Sequence, residues 1–334
     1  MGTVSKLKLT AAAMALIVGA LPAVAQTTLR MANWMPPAHH MQATLAQWID
    51  GIRAATGGSV EIDLMSAPLA PPPGQYDLVR NGIVDIAYGI AAFTPNQFHL
   101  FRALEMPFLA DEAQAASAGL MDWYTAHDFA AQEFEGTHLI AAFTHAPFLV
   151  HSREPVTSLA DFDGLKIRAG GVGIDIFNAL GAAPVFLAPG DTTEALQRGT
   201  VDATQFTWES LPAYRLYDLV PNHLVFPDGG LYGTAFWVAM SDTAWNSLTD
   251  EQRAAIDGYR IEGSRLIGAR WDDVEGEARA TAEANGDSIV VLSDADTAAL
   301  RERIAFVEDG WIDATGENGA SLLGDLRATI DTYR

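Results

Sequence analysis

Residues 195–205, Ala195-Leu196-Gln197-Arg198-Gly199-Thr200-Val201-Asp202-Ala203-Thr204-Gln205, repeat in outline what residues 78–88 spell as Leu78-Val79-Arg80-Asn81-Gly82-Ile83-Val84-Asp85-Ile86-Ala87-Tyr88. Each copy carries a helical run that stops at a glycine, the residue best suited to the left-handed position closing a helix. Each continues as Gly-x-Val-Asp into a short strand. A single copy would be an ordinary helix-to-strand turn. Two copies, each after a strand, a loop and a helix, predict two α/β domains of similar build. Open α/β sheets bind ligands beyond the carboxyl ends of their strands. That rule places Tyr88 of one unit, and Gln205 and Phe206 of the other, near a shared cleft.

Outward from the two units, the pattern continues as alternating strands and helices. Residues 29–33 read as a first strand, 40–55 as a helix with apolar residues at Leu45, Trp48, Ile49 and Ile52, and 60–65 as a half-exposed strand. Residues 139–151 and 225–240 are apolar enough to be strands crossing between the domains. Asp191-Thr192-Thr193-Glu194 fits a capped helix start, and Thr249-Asp250-Glu251-Gln252 fits a capping box. The helix opened at Thr249 keeps apolar or small residues at steps of three and four until Asn285-Gly286. At 1.5 Å per residue it is on the order of 50 Å long, long enough to run across more than one domain. A strand near 288–292 and two helices near 295–313 and 320–333 complete the chain.

The first 25 residues read as a secretory leader. Lys6 and Lys8 precede an apolar run from Leu9 to Leu21, and Ala23-Val24-Ala25 is a small-x-small cleavage site, so the mature chain is expected to begin at Gln26. The apolar run is shorter than the ~20 residues of a membrane span. The expected location is the periplasm, with no direct membrane insertion. The chain has no cysteine, so an exported fold must rest on its core. With 42 Asp+Glu against 20 Lys+Arg, the formal charge is -22. Nucleic acid and anionic membrane surfaces select basic patches, so neither is an expected partner. An anionic ligand must be caught by a local cation against the overall field.

That cation is read at Arg168, in Gly164-Leu165-Lys166-Ile167-Arg168-Ala169-Gly170-Gly171. Ile167 points to one face of the strand, while Arg168 and Lys166 share the other. Arginine suits bidentate capture of a carboxylate, although the pattern alone leans toward a surface salt bridge with one of many acids. The run Gly171-Val172-Gly173 follows a strand and precedes a helix. A dinucleotide fingerprint would need a third glycine where Asp175 stands, a carboxylate that would repel a pyrophosphate. His39 and His40 are adjacent, and adjacent histidines on a helix point apart. They are expected to be ordinary surface or helix-start residues, with His39 facing the cleft, and neither a metal nor a cofactor is expected. No Gly-x-Ser-x-Gly motif occurs. Trp34, Tyr88, Phe206, Trp208 and Tyr232 fall where a cleft is expected, whereas Tyr214, Phe236 and Trp237 read as core.

With these residues in view, the chain resembles the substrate-binding proteins of tripartite ATP-independent periplasmic (TRAP) transporters, of the DctP type. The resemblance covers nearly all of the expected mature chain. It is carried by Asp161 to Arg168, by Leu196 to Asp202 followed by Gln205, by Gly82 to Ala87 with Glu105-Met106-Pro107-Phe108-Leu109, and by the long helix. It implies a type II-like periplasmic-binding-protein fold: domain I over 26–148 plus about 236–250, domain II over 149–235, a spanning helix over 249–285, and a C-terminal strand and helices over 286–334. It further implies that the protein is no enzyme and that it closes on a small organic acid. Arg168 then pairs with the ligand carboxylate, and delivery is to the small and large membrane subunits of a permease. Two departures shape the ligand. Phe206 stands where the family commonly has Asn. Pro147 stands where dicarboxylate binders often carry a second Arg, with His145 nearby. A monocarboxylate with an apolar or aromatic body is therefore favoured over a C4-dicarboxylate or sugar acid. A periplasmic enzyme acting on an organic acid, and a sensor's partner protein, are the rival readings.

Overall fold

The computed structural model describes residues 26–227 and 230–334; the expected leader lies outside them. No helix among the described residues is long and apolar enough to cross a membrane. Strands are numbered in chain order: β1 (Thr27–Met31), β2 (Val60–Leu64), β3 (Ile86–Ile90), β4 (Thr137–Phe143), β5 (Leu149–Ser152), β6 (Lys166–Ala169), β7 (Ala183–Phe186), β8 (Ala203–Phe206), β9 (Asn222–Val225), β10 (Phe236–Ser241) and β11 (Ser288–Val291). They form two sheets, ordered β2-β1-β3-β10-β4 and β11-β9-β5-β8-β6-β7. In the first, β1 runs parallel to β2 and β3, and β10 is antiparallel to β3 and β4. In the second, β6 is parallel to β7 and β8, and β5 is antiparallel to β8 and β9.

Each sheet is the centre of one lobe. In the first lobe, the helix Met41–Ala55 buries Leu45, Trp48, Ile49 and Ile52 with Leu29, Ile62 and Ile86. On the other face of that sheet, the helix Ala113–Ala126 shares a core with Phe98, Phe101, Phe134 and Trp237. In the second lobe, Ile167, Ile176, Phe177 and Leu224 lie in one core cluster and Leu196, Val201, Phe206 and Leu211 in another. The two apolar segments read as crossing strands are each divided. Residues 139–151 become β4 in one sheet and β5 in the other, with 144–148 between them. Residues 225–240 end β9 in the second sheet and resume as β10 in the first. The two connections lie side by side, with Phe148 N–H donating to Tyr232 O at 2.9 Å.

The helix Asp250–Asn285 has 36 residues and binds both lobes. The capping box of Thr249 and Gln252 is formed, and Gly286 closes the helix at φ 83°. Ile256, Ile267 and Trp271 enter the core of the first lobe, whereas Ala278 and Ala282 enter that of the second. Gly268 lets it press on the helix Ala113–Ala126, because a Cβ there would lie 2.4 Å from Ala113 O. Two acids one turn apart fix the helix to each lobe. Asp272 accepts from the N–H groups of Ala113 and Gln114, both at 2.8 Å, and Glu275 accepts from those of Trp208 and Glu209 at 2.9 and 3.1 Å. Each carboxylate therefore satisfies free donors at a helix start. At Asp191, by contrast, the expected cap is absent: the residue has helical backbone angles and no side-chain cap bond, and the helix runs Thr192–Gln197. The chain then adds β11 to the second sheet. The helix Asp294–Thr315 buries Leu300 and Ile304 in the second lobe and Trp311 in the first.

Candidate functional site

Between the lobes lies a cavity lined by residues of both. Trp34, His39 and Glu105 line it from the first lobe, and Arg168, Gln205, Phe206 and Tyr214 from the second. His145, Tyr232 and Phe236 come from the crossing segments and β10, and Trp271 from the long helix.

Arg168 is set in place by local sequence. Ser158 and Asp161 form a capping box, Gly164 turns the chain at φ 73°, and β6 begins two residues later. Ile167 is fully buried in the core, so Arg168 emerges on the opposite face. Lys166 shares that face but is exposed at the outer end of the strand, away from the cavity. Arg168 Nε and Nη2 donate to Leu187 O at 3.1 and 3.0 Å, and Nη1 donates to Gln205 O at 3.2 Å. Its guanidinium carbon lies 4.3 Å from the centre of the Phe206 ring. A guanidinium has five N–H groups, so one on each terminal nitrogen is left over, the fork that matches a carboxylate. Burial lowers the Arg168 pKa to about 10, which still leaves it charged at neutral pH. The side chain is 5 % exposed, and no carboxylate among the described residues lies within ion-pair distance.

The glycine run after β6 serves packing rather than phosphate binding. A Cβ on Gly173 would lie 1.9 Å from Gln205 Oε1, so only glycine lets that amide approach. Gly173 N–H donates to Tyr232 Oη at 2.9 Å, Tyr232 Oη donates to Gly170 O at 2.7 Å, and Gln205 Nε2 donates to Tyr232 Oη. Tyr232 thus ties a crossing segment to the strand ends of the second lobe. Burial pushes its pKa up, so it remains a neutral phenol. His145 is also buried, with its pKa lowered to about 4, and is neutral at pH 7.

Of the nine residues expected at the site, Arg168, Gln205, Phe206, Trp34, His145, His39 and Tyr232 line the cavity. Tyr88 and Trp208 do not. Tyr88 is fully buried behind Trp34, at 5.5 Å between ring centres, and its hydroxyl donates to Asn33 Oδ1 at 2.7 Å. Trp208 turns to an outer groove with Arg279 and packs on His151 and His223. Tyr214 and Phe236, read as core, line the cavity, and Tyr214 stacks on Phe206 at 5.3 Å. Phe93 and Phe186, one from each lobe, meet edge to face at 6.2 Å. His39 and His40 stand at a helix start, one of the two places expected for them, but they are not surface residues pointing apart. They precede the helix instead of lying on it, their rings are 4.6 Å apart, and both Nε2 atoms face Glu209.

Two acids that line the cavity, and a third that holds the turn beside it, escaped sequence reading. Glu105 is buried and holds Arg102 through Oε2 at 2.7 Å. Glu209 is buried against the long helix, with burial and the neighbouring Glu275 pushing its pKa up to about 8. Burial likewise raises Glu275 to about 7. Glu275 and the histidines facing Glu209 lie tens of residues from it in sequence, whereas Arg102-x-x-Glu105 has a spacing that could have flagged a pair.

Two lobes joined by adjacent crossing segments and a shared helix, closed on a cavity with a buried arginine, define a class: the two-domain periplasmic solute-binding proteins. Residues 31–311 match the model of bacterial extracellular solute-binding proteins, family 7 (DctP), and the chain belongs to that family. It is a substrate-binding protein of the TRAP type and not an enzyme. A TRAP periplasmic solute-binding protein from Bordetella bronchiseptica, solved with (R)- and (S)-mandelate, is 31% identical at a TM-score of 0.86, over 92% of this chain and 100% of its own. A marine metagenome TRAP protein specific for aromatic acid ligands, solved with 3-hydroxybenzoate, is 29% identical at a TM-score of 0.83, over 92% and 99%. One from Rhodoferax ferrireducens, with copurified benzoate, is 26% identical at a TM-score of 0.83, over 92% and 98%.

Proposed function

We propose that this protein binds an aromatic monocarboxylate by closure of the two lobes and hands it to the membrane subunits of a TRAP transporter. The observation that carries the reading is Arg168: a charged, buried guanidinium with two N–H groups to spare and no carboxylate among the described residues to meet it. A ligand carboxylate supplies the missing partner. Among the described lining residues Arg168 is the only Lys or Arg, and the nearby His145 is neutral, so one carboxylate is matched and a second is not. Trp34, Phe206, Tyr214 and Phe236 give the rest of the ligand flat apolar surface. Exclusion of water on closure strengthens the ion pair. The ligands named for the Bordetella, marine and Rhodoferax proteins, mandelate, 3-hydroxybenzoate and benzoate, are of this class.

A calorimetric panel tests the reading. Benzoate, 3-hydroxybenzoate and mandelate should bind one to one and be recovered unchanged, while succinate, malate and glucuronate should not compete. Tight binding of succinate with no response to the aromatic acids would overturn it. Export with cleavage before Gln26 belongs to the same proposal, and mass spectrometry of the periplasmic protein reads it directly.

A further inference from the structure

His39 and His40 stand just before the first helix of one lobe, and Glu209 follows β8 of the other. Glu209 Oε2 lies 3.5 Å from His39 Nε2 and 3.8 Å from His40 Nε2, and the three donor atoms all fall within 4.8 Å of one another. These separations are too long for direct hydrogen bonds and suit donors arranged around an ion.

The proton positions at His40 favour an ion over a contact. Thr44 Oγ1 donates to His40 O at 3.1 Å, so it is free to accept from His40 Nδ1 at 3.2 Å. With Nδ1 protonated, Nε2 presents a lone pair toward Glu209 Oε2. That nitrogen is buried and has no hydrogen-bond partner, an arrangement costly to leave unfilled. His39 Nδ1 accepts from Met41 N–H at 3.2 Å. Metal ligation through His39 Nε2 gives up that long bond, at a helix start whose N–H groups lack intrahelical partners in any case. Glu209 Oε1 is steadied by Thr207 and Ser210 hydroxyls at 3.3 and 3.1 Å, leaving Oε2 for the ion.

We infer that His39, His40 and Glu209 form a divalent transition-metal site that latches the two lobes together. Two imidazoles and one carboxylate suit Zn²⁺ and its neighbours, with a fourth position open. An entry path exists where His40 and Glu209 line a second groove of about 830 Å³ with Arg270 and Glu277. Arg270 is partly offset there by Asp273 at 3.5 Å. The acidic field that repels a carboxylate concentrates a cation. Because the ligands come from different lobes, the metal favours the closed state, and metal and solute must then raise each other's affinity.

The latch rests on the proposed binding of an aromatic acid by lobe closure; the metal site does not. Chelator-treated protein without solute should take up one Zn²⁺ per chain by calorimetry and melt at a higher temperature with it. Co²⁺ in its place should give the intense visible bands of a four-coordinate ion, a readout that needs no variant. His40→Gln and Glu209→Gln, checked for native circular dichroism, should each weaken Zn²⁺ by ~100-fold or more, beyond the loss of an outer-shell partner. Absence of stoichiometric uptake, or uptake unchanged in both variants, overturns the site. Benzoate should bind wild-type protein more tightly with Zn²⁺ than without. An unchanged benzoate affinity overturns the latch, whereas failure of benzoate to bind at all counts against the proposed solute and leaves the metal titration standing.

Discussion

Arg102 and Arg168 are both largely buried arginines near the same cleft, and their surroundings differ in one respect. Arg102 receives a carboxylate from its own chain, Glu105 three residues on, and that partner raises its pKa. Arg168 receives two backbone carbonyls and an aromatic face, and burial alone lowers its pKa. Burying an ion without a counter-ion costs several kcal/mol. A fold that spends this at one arginine and avoids it at another holds the first ready for an anion from solution. The largest test follows directly. Arg168→Met should lower affinity for the bound aromatic acid by ~100-fold or more, in line with the 3–5 kcal/mol of a broken buried pair. The ligand-free melting temperature should barely move, because the lost carbonyl bonds are offset by relief of the desolvated charge. Calorimetry and thermal unfolding of the same variant read both. A variant that melts far lower while binding normally would reverse the roles of the two arginines.

Glu105→Gln probes the other side of the comparison and should give the opposite pattern. Arg102 then loses its charged partner inside the fold, and stability should fall by about 1–3 kcal/mol. Affinity for an aromatic monocarboxylate should hold or rise, since the cavity wall loses a negative charge. Denaturant unfolding with a ligand titration checks it; a collapse of binding without a loss of stability would make Glu105, and not Arg168, the group that meets the ligand.

Why the strand of Arg168 was legible and much of its surroundings was not has a physical reason. The strand of Arg168 is built from local signals: the Ser158–Asp161 capping box, the left-handed Gly164 and the alternation Ile167 in, Arg168 out. The long helix was equally readable, because Thr249, Gln252 and Gly286 mark both its ends. Glu209 and Glu275 meet across 66 residues, and no local pattern announces such a pair. Tyr88 lies on β3, inside a sheet covered on both faces, where every residue from Ile86 to Gly89 is buried and alternation names no cleft side. Trp208 lies two residues past the end of β8, in the turn into the helix Ser210–Ala213, where the two-residue period no longer holds. His39 and His40 converge because the helix starts only at Met41, so the rotation that separates neighbours on a helix does not act on them.

The contrast between the arginines also requires that His145 not be a second cation. Burial lowers its pKa from 6.5 to about 4. Between those values the unfolded chain takes up a proton that the folded chain refuses, so stability falls as pH drops from 6.5 towards 4. The expected slope from this residue is about 1.4 kcal/mol per pH unit. His145→Gln should remove that much of the acid sensitivity in unfolding experiments at pH 7, 6 and 5. An unaltered slope would mean that His145 is already charged in the folded protein, and the cavity would then hold two cations and suit a dicarboxylate.

The smallest effects separate Phe206 from Trp208, two aromatics that sequence reading treated alike. Phe206 lies under the Arg168 guanidinium at 4.3 Å and stacks on Tyr214, so it both steadies the cation and forms a wall of the cavity. Phe206→Leu keeps an apolar wall and removes the ring quadrupole. It should cost about 0.5–2 kcal/mol of binding. Trp208 faces His151, His223 and Arg279 in the outer groove, so Trp208→Phe should leave solute affinity within about twofold, less than the 1.4 kcal/mol of a tenfold change. Calorimetry on the two variants side by side decides the matter. If Trp208→Phe weakened the acid as much as Phe206→Leu, the environment of Arg168 would extend through the turn after β8, and the arginine could no longer be understood from its immediate neighbours alone.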